Sequence, residues 1–210
     1  MLTKLNSILA SILMVFSIFS FAQPDKIRLG QQYQEVDKII DNVPPVIEFF
    51  SFYCGPCYLF AETYHVDKTI SDSLPDGVKL TKYHVGIMGA LGEELTTAWS
   101  IAISLNLQNE AEKLLFERQK AKTLNSIDDI KSVFLELGIS GVQYDEMKQR
   151  QDVNELIDKQ NKAIKQLKVT STPAFYILGK YKINNNGVND KTFEGYPKGL
   201  ADIIIYLLNK

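Results

Sequence analysis

Apolar and polar residues first alternate along this chain, then recur every three to four positions, then alternate again. Residues 31–36, QQYQEV, read as a short strand, and DNVPP follows as a turn, since Pro44 and Pro45 do not fit inside a central strand. In VIEFFSFY, residues 46–53, Ile47 and Phe49 are apolar on one parity and Val46, Phe50 and Phe52 on the other. A strand apolar on both faces is expected at the centre of a sheet. Glu48 interrupts that pattern. Residues 58–74, YLFAETYHVDKTISDSL, can run as one helix closed by the turn LPDG, and VKLTKYHV, residues 78–85, is the next strand. Strand, helix and strand in this order predict a parallel βαβ unit.

The period then changes. Leu91, Leu95, Ala98/Trp99 and Ala102 recur at helical spacing, as do Ile127, Ile130, Val133/Phe134 and Leu137, and again Val153, Leu156/Ile157, Ala163 and Leu167. Ser126 and Asp129 have the spacing of a helix start. A block of several amphipathic helices is expected over about residues 90–166. Alternation returns at Pro173 with PAFYILGKY; NNNG, residues 184–187, reads as a turn and KTFEGY as the second strand of a hairpin. Leu200, Ile203, Ile204, Leu207 and Leu208 form the apolar stripe of a closing helix. The whole is an α/β chain in which a βαβ start and a ββα finish are separated by a helical insertion.

The N-terminus changes the picture of where this chain works. Lys4 precedes an apolar run over residues 8–21, and Ser20 and Ala22 occupy the −3 and −1 positions of a cut after Ala22. This is the plan of a cleaved secretory signal peptide; the alternative is an uncleaved membrane anchor, for which the run is short. The segment holds one lysine and no acid, so its removal turns the formal net charge of −2 into −3. No basic footprint for nucleic acid results. The 210 residues, 45% of them apolar, suffice for a sizeable core. Export places the chain in an oxidising compartment, where disulfides persist.

The two cysteines of the chain are two residues apart, in Cys54-Gly55-Pro56-Cys57, where a buried strand gives way to a helix. Three chemistries fit such a pair. A zinc site needs two further ligands, and His65 and His84 have no common finger spacing. A structural disulfide across so short a loop restrains the unfolded chain little. A redox pair has a physical mechanism. With Cys54 at the N-cap, the free N–H groups of the first turn, that of Cys57 included, point at its sulfur, and the helix dipole adds positive charge. Both favour the thiolate. Pro56 in the first turn costs no hydrogen bond. Pro173 either caps the start of its strand or follows a cis bond to Thr172, which would present Thr172 to an extended peptide as an added strand. Glu48 either reaches solvent at a sheet edge or is buried with a raised pKa, with Lys82 on the neighbouring strand as its partner and Cys57 as the group it tunes.

These residues resemble the DsbA-type thiol:disulfide oxidoreductases of the bacterial periplasm, most densely in VIEFFSFYCGPCYLF, LPDGVKLTKYHV, LTTAWSIAISL and STPAF. The resemblance implies a thioredoxin fold with an inserted helical domain. On this chain that means a signal peptide (1–22), thioredoxin-like parts at 23–88 and 168–210, and a helical insertion at 89–167. It further implies Cys54 as the exposed, attacking cysteine, Cys57 as the buried one, Pro173 as a cis-proline, and Glu48 with Lys82 as a buried charged pair beneath the site. Gly55, Pro56, Thr172 and Pro173 are expected to shape the substrate surface. The implied cofactor is the Cys54–Cys57 disulfide itself, with no metal. The implied partners are unfolded or partly folded secreted proteins with free cysteines and a DsbB-like quinone-linked membrane oxidase, and the protein is expected to be a monomer. Two departures bear on direction. The archetype has Pro-His between its cysteines, so the cation that would stabilise a thiolate is missing here, and Thr172 stands in place of a valine. Gly55-Pro56, the dipeptide typical of thioredoxin, keeps a periplasmic reductase or isomerase as the alternative to a disulfide donor; a peptide-binding chaperone is the third reading.

Overall fold

The structure is a computed structural model that describes residues 27–210, so the expected signal peptide at 1–22 lies outside the described residues. Five strands form one sheet in the order β1-β5-β4-β2-β3. They are β1 (Tyr33–Glu35), β2 (Val46–Phe50), β3 (Leu80–His84), β4 (Ala174–Ile177) and β5 (Tyr181–Ile183). β2 is parallel to β3 and antiparallel to β4, so the expected βαβ unit is present. All five residues of β2 are buried. The two parities of β2 do separate. Ile47 and Phe49 pack with Tyr83, Tyr176 and Ala163 on one face, whereas Val46 packs with Phe175 and Ile204 and Phe50 with Trp99 and Phe116 on the other. Each fully buried ring or branched chain contributes about 2–3 kcal/mol by leaving water.

Five helices fill the interval between β3 and β4: α3 (Gly92–Leu105), α4 (Gln108–Lys120), α5 (Ile127–Glu136), α6 (Gly141–Lys148) and α7 (Gln151–Gln166). Ser126 caps α5 by accepting from the Asp129 N–H, at the position its spacing indicated. α8 (Gly195–Leu208) closes the chain against the sheet.

Two local readings need correction. The helix expected over 58–74 is broken. α1 (Gly55–Tyr58) runs into a π-helical turn at Leu59–Thr63, and α2 (Val66–Ser73) starts afresh after His65, which has φ +49°. The His65 ring bonds back to the Ala61 carbonyl at 3.0 Å and closes the first segment. The hairpin also lies earlier than expected. PAFYILGKY is not one strand but β4, a turn and β5, and KTFEGY leads into α8 without strand structure. Leu178 and Gly179 both have positive φ (53° and 59°), and the Lys180 N–H bonds to the Ile177 carbonyl at 3.0 Å. This is a type I′ turn, the twist that joins adjacent antiparallel strands. Gly179 has a second reason to be glycine, because a Cβ there would collide with the Ile40 carbonyl.

Candidate active site

The site grows from the end of β2. The chain leaves the sheet after Phe50, and Cys54 is the N-cap of α1 with extended backbone (φ −94°, ψ 108°). Its Sγ accepts the Cys57 N–H at 3.1 Å, the contact expected of a sulfur at that position. Cys54 and Cys57 are joined as a disulfide. Pro56 falls in the first turn. Cys54 is less open than expected: it is only 4% exposed against 1% for Cys57, and the exposed residues are Gly55 and Pro56 between them. Gly55 and Pro56 thus form the exposed rim of the disulfide loop.

The Thr172–Pro173 bond is cis. Pro173 and Thr172 share a cleft of about 460 Å³ with Pro56, Phe60 and Tyr196, so helix start and cis bend face a common space. The Thr172 hydroxyl points to the Met88 sulfur at 3.5 Å rather than to a cysteine.

Glu48 and Lys82 are directly paired in the β2–β3 register, which puts both side chains on the same face of the sheet. Glu48 is 2% exposed, so the edge reading is excluded, and its Oε2 lies 3.6 Å from Lys82 Nζ with no hydrogen-bond partner. The lysine is shared with two further carboxylates that sequence reasoning missed, Glu112 at 2.5 Å and Asp67 at 3.1 Å. One cation thus faces three acids. Burial alone would push the Lys82 ammonium down, but the three carboxylates outweigh burial and raise it. Burial pushes Glu48 up to about 7; Lys82 pulls it back in part, while Glu112 and Asp67 add repulsion. Burial also raises Glu112. Glu48, the farthest of the three from the ammonium, therefore exchanges its proton near neutral pH. The signal for Glu112 was present, because it sits four residues before the core residue Phe116 on α4. Asp67 was not findable, because its reach depends on the break at His65.

His84 was also missed as a site residue. It is fully buried at the end of β3, and its Nε2 accepts the Phe52 N–H at 3.2 Å, two residues before Cys54. Nδ1 therefore carries the proton and donates to Thr96 Oγ1 at 2.9 Å, and that hydroxyl donates to the Gly92 carbonyl. The His84 N–H reaches Gln160 Oε1 at 2.8 Å on α7. Burial pushes the imidazole down to about 3, so it is neutral and serves as a strut between the cysteine loop and the helical region. Among the described residues, no group of three or more His, Cys, Asp or Glu side chains could hold a metal ion.

Residues 45–191 match the family model of the DSBA-like thioredoxin domain. The chain is 39% identical over 203 residues to the thiol:disulfide interchange protein DsbA of Yersinia pestis, an alignment that covers 96% of each. Its fold superposes on the crystal structure of DsbA from Klebsiella pneumoniae with a TM-score of 0.86 and 41% identity, over 89% of this chain and all of that one. A Cys-to-Ser variant of Proteus mirabilis DsbA, solved with a non-covalently bound peptide PWATCDS, matches with a TM-score of 0.84 and 36% identity, over 88% and 100% of the two chains. With its cysteines disulfide-bonded at the start of a helix in a thioredoxin fold, the chain belongs to the DsbA family and is a thiol:disulfide oxidase of oxidative protein folding.

Proposed function

We propose that the protein donates the Cys54–Cys57 disulfide to exported proteins in the periplasm, and that a DsbB-like quinone-linked membrane oxidase restores it. The disulfide at the N-cap, with the Cys57 amide on the Cys54 sulfur, is the observation that carries this reading. A substrate thiolate attacks Cys54 Sγ and forms a mixed disulfide, and the electron pair of the broken S–S bond goes to Cys57. A second substrate thiolate then attacks the substrate sulfur, and Cys54 leaves as a thiolate. The helix-end amides that stabilise this thiolate make it a good leaving group. The substrate emerges with a disulfide, and the enzyme emerges with two reduced sulfurs.

Glu48, with its proton exchanging near neutral pH, tunes Cys57 and supplies or removes its proton, and Lys82 holds Glu48 in place. Substrate lies extended across the Gly55-Pro56 rim and pairs with the backbone of Thr172, with Pro173 fixing the bend. The peptide bound to the Proteus mirabilis relative supports a peptide surface of this kind. Residues 1–22 are removed on export, and 23–88 with 168–210 form a thioredoxin-like domain around the insertion at 89–167.

The test is capture. Cys57→Ala expressed with its leader should accumulate mixed disulfides with exported proteins, formed when the Cys54 thiolate attacks a disulfide of the exported protein and displaces that protein's second cysteine as a thiolate, the reverse of the last donor step, and the mature chain should begin at Gln23 by mass spectrometry. Absence of any captured exported protein would contradict the donor reading.

A further inference from the structure

The hairpin next to the cis bend ends in an unusual way. In β4–β5, Tyr176 is opposite Lys182 and Ile177 opposite Tyr181, so the same register carried on would set Asn185 opposite Pro173. The backbone does not continue that far. Asn184 is drawn toward the N-terminal segment, its N–H to the Gln32 carbonyl at 2.8 Å and its Nδ2 to the Gln31 carbonyl at 2.9 Å. A 3-10 turn follows at Asn185–Gly187. The Pro173 carbonyl would then have no ladder partner at residue 185. The Asn185 side chain replaces it: Nδ2 donates to the Pro173 carbonyl at 2.8 Å.

The rest of Asn185 shows that this is what its side chain does. Its own carbonyl accepts the Tyr196 hydroxyl at 3.1 Å, which ties the turn to α8. Its Oδ1 is buried with no hydrogen-bond partner, so the bond to Pro173 is the one that its amide makes among the described residues. A buried amide with one half unused is unfavourable, and the arrangement needs a reason. Asn185, Pro173, Thr172, Pro56 and Tyr196 line the same cleft.

We infer that Asn185 is a positioning residue for substrate: by holding the Pro173 carbonyl it fixes the backbone of Thr172 against which a peptide is laid. It touches neither sulfur. The inference rests on the oxidase reading and on peptide pairing at the bend, and it assigns to the β5–α8 turn a part in peptide affinity.

Oxidised wild type, Asn185→Ala and Asn185→Asp are compared on a dithiol peptide and on dithiothreitol, which has no chain to lay along the bend. In Asn185→Ala the KM for the peptide rises about fivefold to tenfold, as for one lost part-buried hydrogen bond, and kcat falls by less than KM rises. The ratio of kcat/KM for the peptide to that for dithiothreitol falls by at least the same factor. Asn185→Asp keeps the side chain's shape but sets a carboxylate against the carbonyl. It loses more than the alanine variant at pH 7 and recovers toward pH 4, where the protonated acid donates again. The aspartate variant also carries the test if the alanine variant does not fold. A peptide KM within about twofold of wild type in both variants, or peptide and dithiothreitol rates that fall in parallel, overturns the inference. A wild-type protein that oxidises neither thiol contradicts the oxidase reading instead.

Discussion

Replacing Glu48 by glutamine should stabilise the oxidised protein at alkaline pH and do almost nothing in acid. Burial lifts this carboxyl from an ordinary 4.5 to about 7 despite the Lys82 ammonium 3.6 Å away. The folded protein therefore binds a proton that the unfolded chain has released between those two pH values. Stability falls as pH rises through that window, and above pH 7 the whole cost of a buried carboxylate is present. An upward displacement of this size corresponds to about 3 kcal/mol. Glutamine keeps the shape without the charge, and Lys82 retains Glu112 and Asp67. Urea unfolding of wild type and Glu48→Gln at pH 8 should differ by roughly 2–3 kcal/mol in favour of the variant, and the difference should shrink toward zero at pH 4.5. His84 acts in the opposite direction. Its depressed folded pKa of about 3 makes wild type lose stability as pH falls below 6.5, but this is common to both proteins and cancels in the difference. A variant destabilised by the same amount at both pH values would show instead that Glu48 is a well-paired anion.

Lys82→Met removes the one cation among three carboxylates and should cost about 3–5 kcal/mol at pH 8 by urea unfolding, with less lost at pH 5 as Glu48 takes up its proton. Leu178→Asn should stabilise the hairpin, since Leu178 holds φ +53° in the I′ turn and asparagine tolerates that region. A gain of about 1 kcal/mol, or roughly 2–4 °C in the thermal midpoint by calorimetry, is expected, and no gain would show that the leucine packs well enough to offset its backbone.

The elements that position the cysteines were legible because their signals are local. VIEFF has no polar face except at Glu48, and it is buried along its whole length. Cys54 and Pro56 carry an N-cap and first turn in four residues, and the cap geometry follows. The Glu48–Lys82 pair could be named because two neighbouring parallel strands place such residues side by side. What was not legible depends on single backbone torsions or on distant elements. The break at His65 turns on a left-handed residue whose sequence context reads as continuous helix. The hairpin was displaced because Leu178-Gly179 replaces the asparagine–glycine pair that usually announces an I′ turn. His84 and Gln160 join the site only when α3 and α7 fold over β3, and no spacing along the chain encodes that meeting; the spacing of Glu112 to Phe116 marks its helix face, but its meeting with Lys82 depends on where α4 folds.

The Cys54–Cys57 bond is held in a protein that passes it on rather than keeps it. Equilibration of the purified protein with glutathione buffers, read by trapping free thiols, measures this directly. A reduction potential well above the value of about −270 mV typical of thioredoxin is predicted, as membership in the DsbA family requires of a protein that gives its disulfide away; the amides at the helix start contribute by stabilising the reduced Cys54 sulfur. A potential at or below the thioredoxin value would contradict the account and mark the protein as a reductant.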